Sequence, residues 1–283
     1  MNIWWINLIF YLLLNVAWLQ LYKIATKKVK KDGAITTLLE LIGAGSILVV
    51  SLFFNFKFPT NIWIYVLFGI AIIFYALNDR LQTTVRKNLE VSVVSILMQL
   101  SNVFVFIWGI LFFKETFMLQ KAIGAILIVI ANVFLFYKKG KFVFNRYTIL
   151  SFLSSIALSI AVSLDAGISG NFNLAFYAFM DLFGSAILIS LVERIKPRDM
   201  IEEYKQGNKK AIIATGMVWG LYIFFMLRTY NSAPVTTVAP LGAVAVILNV
   251  IASYIFMKER NNIGKKIIAA ILVILGVILV TIA

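Results

Sequence analysis

The sequence contains no cysteine and no histidine. The first absence excludes a disulfide framework and any thiolate metal site. The second removes the commonest metal ligand and the usual general base. Charge is also scarce: 13% of the 283 residues are charged and 62% are hydrophobic, against about 25% and roughly 45–50% in a soluble domain. No G-x-x-x-x-G-K-S/T phosphate loop occurs, which argues against ATP-driven pumping by this chain alone. With no clustered acid motif either, nothing points to a membrane enzyme, a cofactor or a bound metal.

What is present is apolar sequence in long runs. Charged and turn-forming clusters divide it into ten segments, at residues 3–22, 34–54, 61–78, 89–112, 118–137, 147–166, 172–192, 211–229, 235–257 and 264–282. A helix crossing the hydrocarbon needs about 20 such residues. Backbone groups without water must be satisfied within the segment, so each is expected to be helical. The alternating segments of about ten residues that mark a membrane β-barrel are absent. The expected fold is an all-α polytopic membrane protein with ten transmembrane helices. The first segment has no basic stretch before it and no small-residue cleavage site after it, and reads as a retained helix rather than a signal peptide.

The net charge of +14 is distributed between the segments, as in Lys27, Lys28, Lys30 and Lys31 or Lys138, Lys139 and Lys141. Contact with anionic lipid headgroups fits this placement, and nucleic acid does not. Of the 26 basic residues, 22 fall after odd-numbered segments; the exceptions are Lys57, Lys114, Lys121 and Arg228. The positive-inside rule therefore expects the odd-numbered loops in the cytoplasm and both termini outside, in a multi-pass plasma-membrane protein.

The two halves repeat one another. Lys121 to Ala131 and Lys266 to Gly276 keep Lys, Ile, Ala, Ile and Leu in register. Phe113-Lys114-Glu115 and Met257-Lys258-Glu259 end the fourth and ninth segments, and Glu40 to Gly43 parallels Asp181 to Gly184. Shared composition explains the aliphatic matches; it does not explain an acid, a Lys-Glu pair and a Lys in the same order. Residues 1–142 and 143–283 are thus expected to form two five-helix repeats. An odd number of helices per repeat inverts the second, as in many transporters.

With these features the sequence resembles the drug/metabolite transporter superfamily, specifically its ten-helix EamA-type members. The resemblance rests on the five-plus-five repeat, the Lys114-Glu115 and Lys258-Glu259 endings, the glycine-spaced fifth and tenth segments, and the turn from Asn231 to Leu241. It implies a secondary carrier of a small organic metabolite, an amino-acid-like solute being favoured, working by alternating access as a monomer or homodimer. Family members usually keep both termini in the cytoplasm, whereas the basic loops here argue the reverse.

An ionisable group inside the hydrocarbon is a functional candidate by default. Glu40 and Asp181 lie well inside apolar segments at equivalent positions of the repeat, and Asp165 lies near the end of the sixth. Glu40 and Asp181 are expected to face one cavity, binding protons or a cationic group of the solute. Alternatively they hydrogen-bond a neighbouring helix or pair with Lys23 or Arg228. Asn15, Gln20, Tyr75, Asn78, Gln99, Asn102, Trp219, Tyr222, Arg228 and Asn249 could complete a polar site, although single amides more often join helices. Gly43 and Gly184 are expected to permit close packing, Pro240 to kink the ninth helix, and Trp4, Trp5 and Trp63 to anchor at the interface. A multidrug or toxic-cation exporter is the main alternative function. A channel would need a polar stripe or filter that is not evident.

Overall fold

The computed structural model describes residues 4–111, 117–138, 141–142, 145–233 and 235–282. The Lys114-Glu115 ending lies outside these residues, as does the side chain of Pro240. The helices are α1 (Trp4–Thr26), α2 (Asp32–Ser51), α3 (Ile62–Asn88), α4 (Val91–Leu97), α5 (Leu100–Leu111), α6 (Leu119–Phe136), α7 (Arg146–Ile168), α8 (Leu174–Val192), α9 (Pro197–Gln206), α10 (Lys209–Ser232), α11 (Val235–Phe256) and α12 (Ile263–Ile282). A short antiparallel rung pairs Tyr137–Lys138 with Lys141–Phe142. Counting α4 and α5 as one span, eight helical stretches among the described residues are long and apolar enough to cross a membrane, and Leu119–Leu135 and Leu241–Phe256 are shorter apolar helices.

Asparagines set several of the starts. Asn61, Asn145, Asn173 and Asn208 accept from the backbone N–H of Trp63, Thr148, Phe176 and Ala211 at 2.9–3.1 Å. Each satisfies a donor that the first turn leaves free. Between α4 and α5 the ladder tightens, with Gln99 N–H bonding Ile96 O and Asn102 N–H bonding Gln99 O. The Ser95 and Ser101 hydroxyls also bond carbonyls three residues back, at Ser92 and Met98. Short-range bonding of this kind bends a helix without a proline.

One expectation needs correction. The third segment does not end at residue 78. It continues as helix to Asn88, leaving only Leu89 and Glu90 before α4. Arg80, Arg86 and Lys87 are therefore helical residues, and Asp79, Gln82, Thr83 and Arg86 are buried. The stretch after α8 also contains a helix, the amphipathic α9.

The packing pairs occur as counterparts. The pairs α2–α8, α6–α12 and α4–α11 each join spans that stand five apart in chain order. The contact α1–α10 is answered by α3–α7, α2–α10 by α3–α8, α1–α11 by α5–α7, and α11–α12 by α5–α6. Shifting every span by five maps this set of pairs onto itself.

The odd-numbered loops meet at one end. Glu203 on α9 is buried and accepts from the Lys30 and Lys31 backbone N–H at 3.1 and 2.8 Å. Glu259 after α11 accepts from Val91 N–H, Ser92 N–H and the Ser92 hydroxyl at 2.7–3.1 Å. The Lys31 ammonium donates to Asp199 at 2.5 Å and holds that carboxyl below its ordinary range. This exposed pair contributes above the ordinary carboxylate range and is lost as pH falls through the lowered value. At the opposite end Lys57 and Asn55 receive bonds from, or donate to, Gly170 and Asn173. Exposed Trp63, Leu191 and Phe256 (68%, 70% and 72%) belong to an apolar exterior suited to lipid.

The Glu203 clamp yields a stability prediction. Glu203→Ala leaves two backbone N–H groups without their acceptor, at about 1–3 kcal/mol. The thermal midpoint of the detergent-purified protein should fall, and an unchanged midpoint would refute a structural role for the clamp.

Candidate functional site

Four buried acids form a chain through the interior. Glu40 on α2 lies within electrostatic reach of Asp79 on α3 and of Asp181 on α8. Asp181 in turn reaches Asp165 on α7. The Glu40 and Asp79 carboxyls approach one another, although no hydrogen bond of normal geometry joins Glu40 to any side chain. At 1.5 Å per residue, Glu40 stands about 12 Å along α2 from the basic end, and Asp165 about 5 Å from the other end of α7. The chain thus runs between the two faces.

Each end of it has its own surroundings. Asp165 accepts from the Tyr75 hydroxyl at 2.6 Å and from the Tyr177 hydroxyl, and Phe68 and Phe172 pack against Tyr177. Toward the basic end stands an aromatic cluster of Trp18 and Tyr22 from α1 with Trp219 and Tyr222 from α10. Trp18 stacks on Tyr222 with centroids 5.1 Å apart, and lies 5.4 Å from Trp219. The Arg86 guanidinium sits 4.3 Å from the Trp18 ring centroid and 4.7 Å from that of Tyr22. Tyr22 shares a 2.6 Å bond with the Thr83 hydroxyl, which contacts Thr36 at the same distance.

The structure brings Glu40, Asp181, Trp219 and Tyr222 into this interior. Gln20 is buried with neither amide atom hydrogen-bonded. Tyr75 serves Asp165. Asn249 donates to Asn15 at 3.0 Å, an amide bridge between α11 and α1. Gln99 and Asn102 bond one another at 2.9 Å beside the α4–α5 break. Arg228 is exposed and lies over Phe54 and Phe224 rather than near the acids. Lys23 donates to the Lys87 and Leu89 carbonyls at 2.9 and 2.6 Å. Neither basic residue pairs with Glu40 or Asp181. Asp79, Arg86, Trp18 and Tyr22 were not anticipated. Their signal is the three- and four-residue spacing of Asp79, Gln82, Thr83 and Arg86, which marks one face of a continuing helix.

A cavity of about 400 Å³ opens among the odd-numbered loops, walled by Asn88, Glu90, Val93, Asn145, Asn262 and Lys266. Lys266 is buried and ion-paired with Glu90. A second crevice, too tight for a water molecule, is lined by Leu19, Lys23, Arg86, Val91 and Val94. The first turns of α4 contribute to both. Among the described residues no group of histidines, cysteines or acids could hold a metal ion.

Apolar spans, a lipid-facing exterior and an ionisable interior define a polytopic membrane protein. The EamA-like transporter family matches residues 145–282, from just before α7 through α12. This part of the chain is similar to that family of the drug/metabolite transporter superfamily, whose members are transporters. One solved structure, described only as the crystal structure of a protein, aligns over 96% of this chain and 96% of its own at a TM-score of 0.58 and 15% identity. That likeness concerns the fold. No curated protein matches the sequence.

Proposed function

We propose that this protein is a secondary carrier that moves a small organic solute across the plasma membrane by alternating access. In this reading two inverted five-helix halves rock about the acid chain, and protons bound there accompany the solute. The observation that carries it is the series of four buried acids, each within reach of the next, from Asp79 and Glu40 through Asp181 to Asp165. Charges so placed need counter-charge in a medium that does not solvate them, and protons or a cationic solute group would supply it. The inversion is supported by the packing pairs that map onto themselves. It is supported too by loop 1–2 lying with α9 at one end while loop 6–7 lies with loop 2–3 at the other.

The basic loops would face the cytoplasm and its anionic lipids, which puts both termini outside. An amino-acid-like solute is the expectation from the family. A toxic-cation exporter is less well supported, because Arg86 already occupies the aromatic faces that a cation would use.

Thermal stabilisation across a metabolite panel, followed by counterflow in proteoliposomes, tests this reading. A carrier exchanges labelled solute faster when unlabelled solute is present on the far side. A flux indifferent to the far side would indicate a channel and overturn the proposal.

A further inference from the structure

The mechanism above uses acids, yet the most anomalous buried charge is a cation. Arg86 is 2% exposed, and its Nε and Nη1 groups make no hydrogen bond. Its Nη2 has only a 4.0 Å contact with the Met98 sulfur. No carboxylate lies within 4.0 Å of it among the described residues; Asp79 acts on it from farther away. A buried arginine normally pairs or reaches water, since leaving it unpaired is costly, and this one stands in the last turn of α3 near the basic end. The Trp18 and Tyr22 rings offset part of that cost through their faces, but rings do not accept the guanidinium fork. The free donors of a planar fork match two oxygens of one oxyanion.

We infer that Arg86 is the recognition group for an oxyanion on the transported solute, a carboxylate or a phosphate. The Trp18 and Tyr22 rings hold the guanidinium in place for that contact. Two further features support the assignment. Lys23 lines the same crevice as Arg86 and adds a second positive charge on that side. Trp18 Nε1, on the ring beneath the guanidinium, is buried without a hydrogen bond, a polar atom that apolar packing alone does not require. The crevice is closed in this conformation, and Val91 and Val94 of α4 form one wall of it. The inference rests on that reading in taking the interior as the solute site.

Binding to the detergent-purified full chain tests it without requiring transport. The probes are phenylacetate and phenyl phosphate as oxyanions, with benzyl alcohol and phenethylamine as neutral and cationic counterparts. Quenching of intrinsic tryptophan fluorescence reports occupancy beside Trp18 and Trp219. The wild type should bind at least one oxyanion about tenfold more tightly than benzyl alcohol, a difference of about 1.4 kcal/mol. Arg86→Gln should abolish that preference, and Arg86→Lys should keep part of it while losing the two-pronged contact. Equal affinity for charged and neutral probes in the wild type overturns the inference, whether or not either variant folds. Displacement of the fluorescence signal by phosphatidylglycerol but by neither oxyanion probe also overturns it, because the site would then hold a lipid headgroup. If counterflow is observed while oxyanion preference is absent, the carrier reading survives and only this assignment fails.

Discussion

The double variant Glu40→Gln/Asp181→Asn should reconstitute as a protein that exchanges solute but no longer accumulates it against a gradient. A pH difference of one unit is worth about 1.4 kcal/mol per proton, which is a tenfold concentration ratio for each proton coupled. Proteoliposomes carrying the wild type and a one-unit gradient should therefore approach a ratio of about ten if one proton moves per cycle. The double variant should stay near unity while its counterflow persists. Retention of full accumulation would reduce both acids to structural roles. Loss of counterflow together with accumulation would assign them to a cationic part of the solute instead. Single variants should show weaker effects, because Asp79 and Asp165 belong to the same electrostatic chain and can share a proton's position.

The spans themselves were readable because hydrophobic run length is a physical requirement of the bilayer. Predicted segments 172–192 and 211–229 sit almost on α8 and α10. The error at α3 has an equally physical origin. Asp79, Arg80, Arg86 and Lys87 follow closely on the apolar run, and charge density reads as loop when neighbours in space are unknown. Burial of Asp79 and Arg86 depends on α1 and α2 covering that face, and partners on other helices leave no trace in local sequence. The same limit hid the aromatic cluster. Trp219 and Tyr222 were legible as polar-edged aromatics within a span, but Trp18 and Tyr22 acquire meaning only once α1 lies against α10. Conversely, Lys23 was suggested as an acid's partner from its proximity to a span. Its actual position at the end of α3 is explained by the negative end of that helix, whose last carbonyls it caps.

Gly220→Val should be the most destabilising substitution of a single small residue in the interior. A Cβ at Gly220 would stand 2.5 Å from the Gly43 carbonyl oxygen, and one at Gly216 would stand 2.9 Å from the Leu39 carbonyl oxygen. Backbone cannot swing aside as a side chain can, so α2 and α10 would have to separate at the turn that carries Glu40. Overpacking of this kind costs about 1–3 kcal/mol or more, and the displaced carboxyl should also lower transport in whatever fraction still folds. The crossing of α6 and α12 is built alike, with a Cβ at Gly124 only 2.5 Å from the Gly276 carbonyl oxygen. Gly184 provides the contrast, because the obstacle there is the end of the Ile72 side chain at 2.8 Å, which can rotate. Gly69 has open space around it, and Gly69→Ala should be neutral or stabilising by about 0.5–1 kcal/mol through helix propensity. Thermal midpoints measured in one detergent should fall in the order Gly69→Ala, Gly184→Ala, Gly220→Ala, Gly220→Val. If Gly220→Val melted with the wild type, the close approach of α2 and α10 would be wrong, and with it the position of Glu40 beside Asp79 and Asp181.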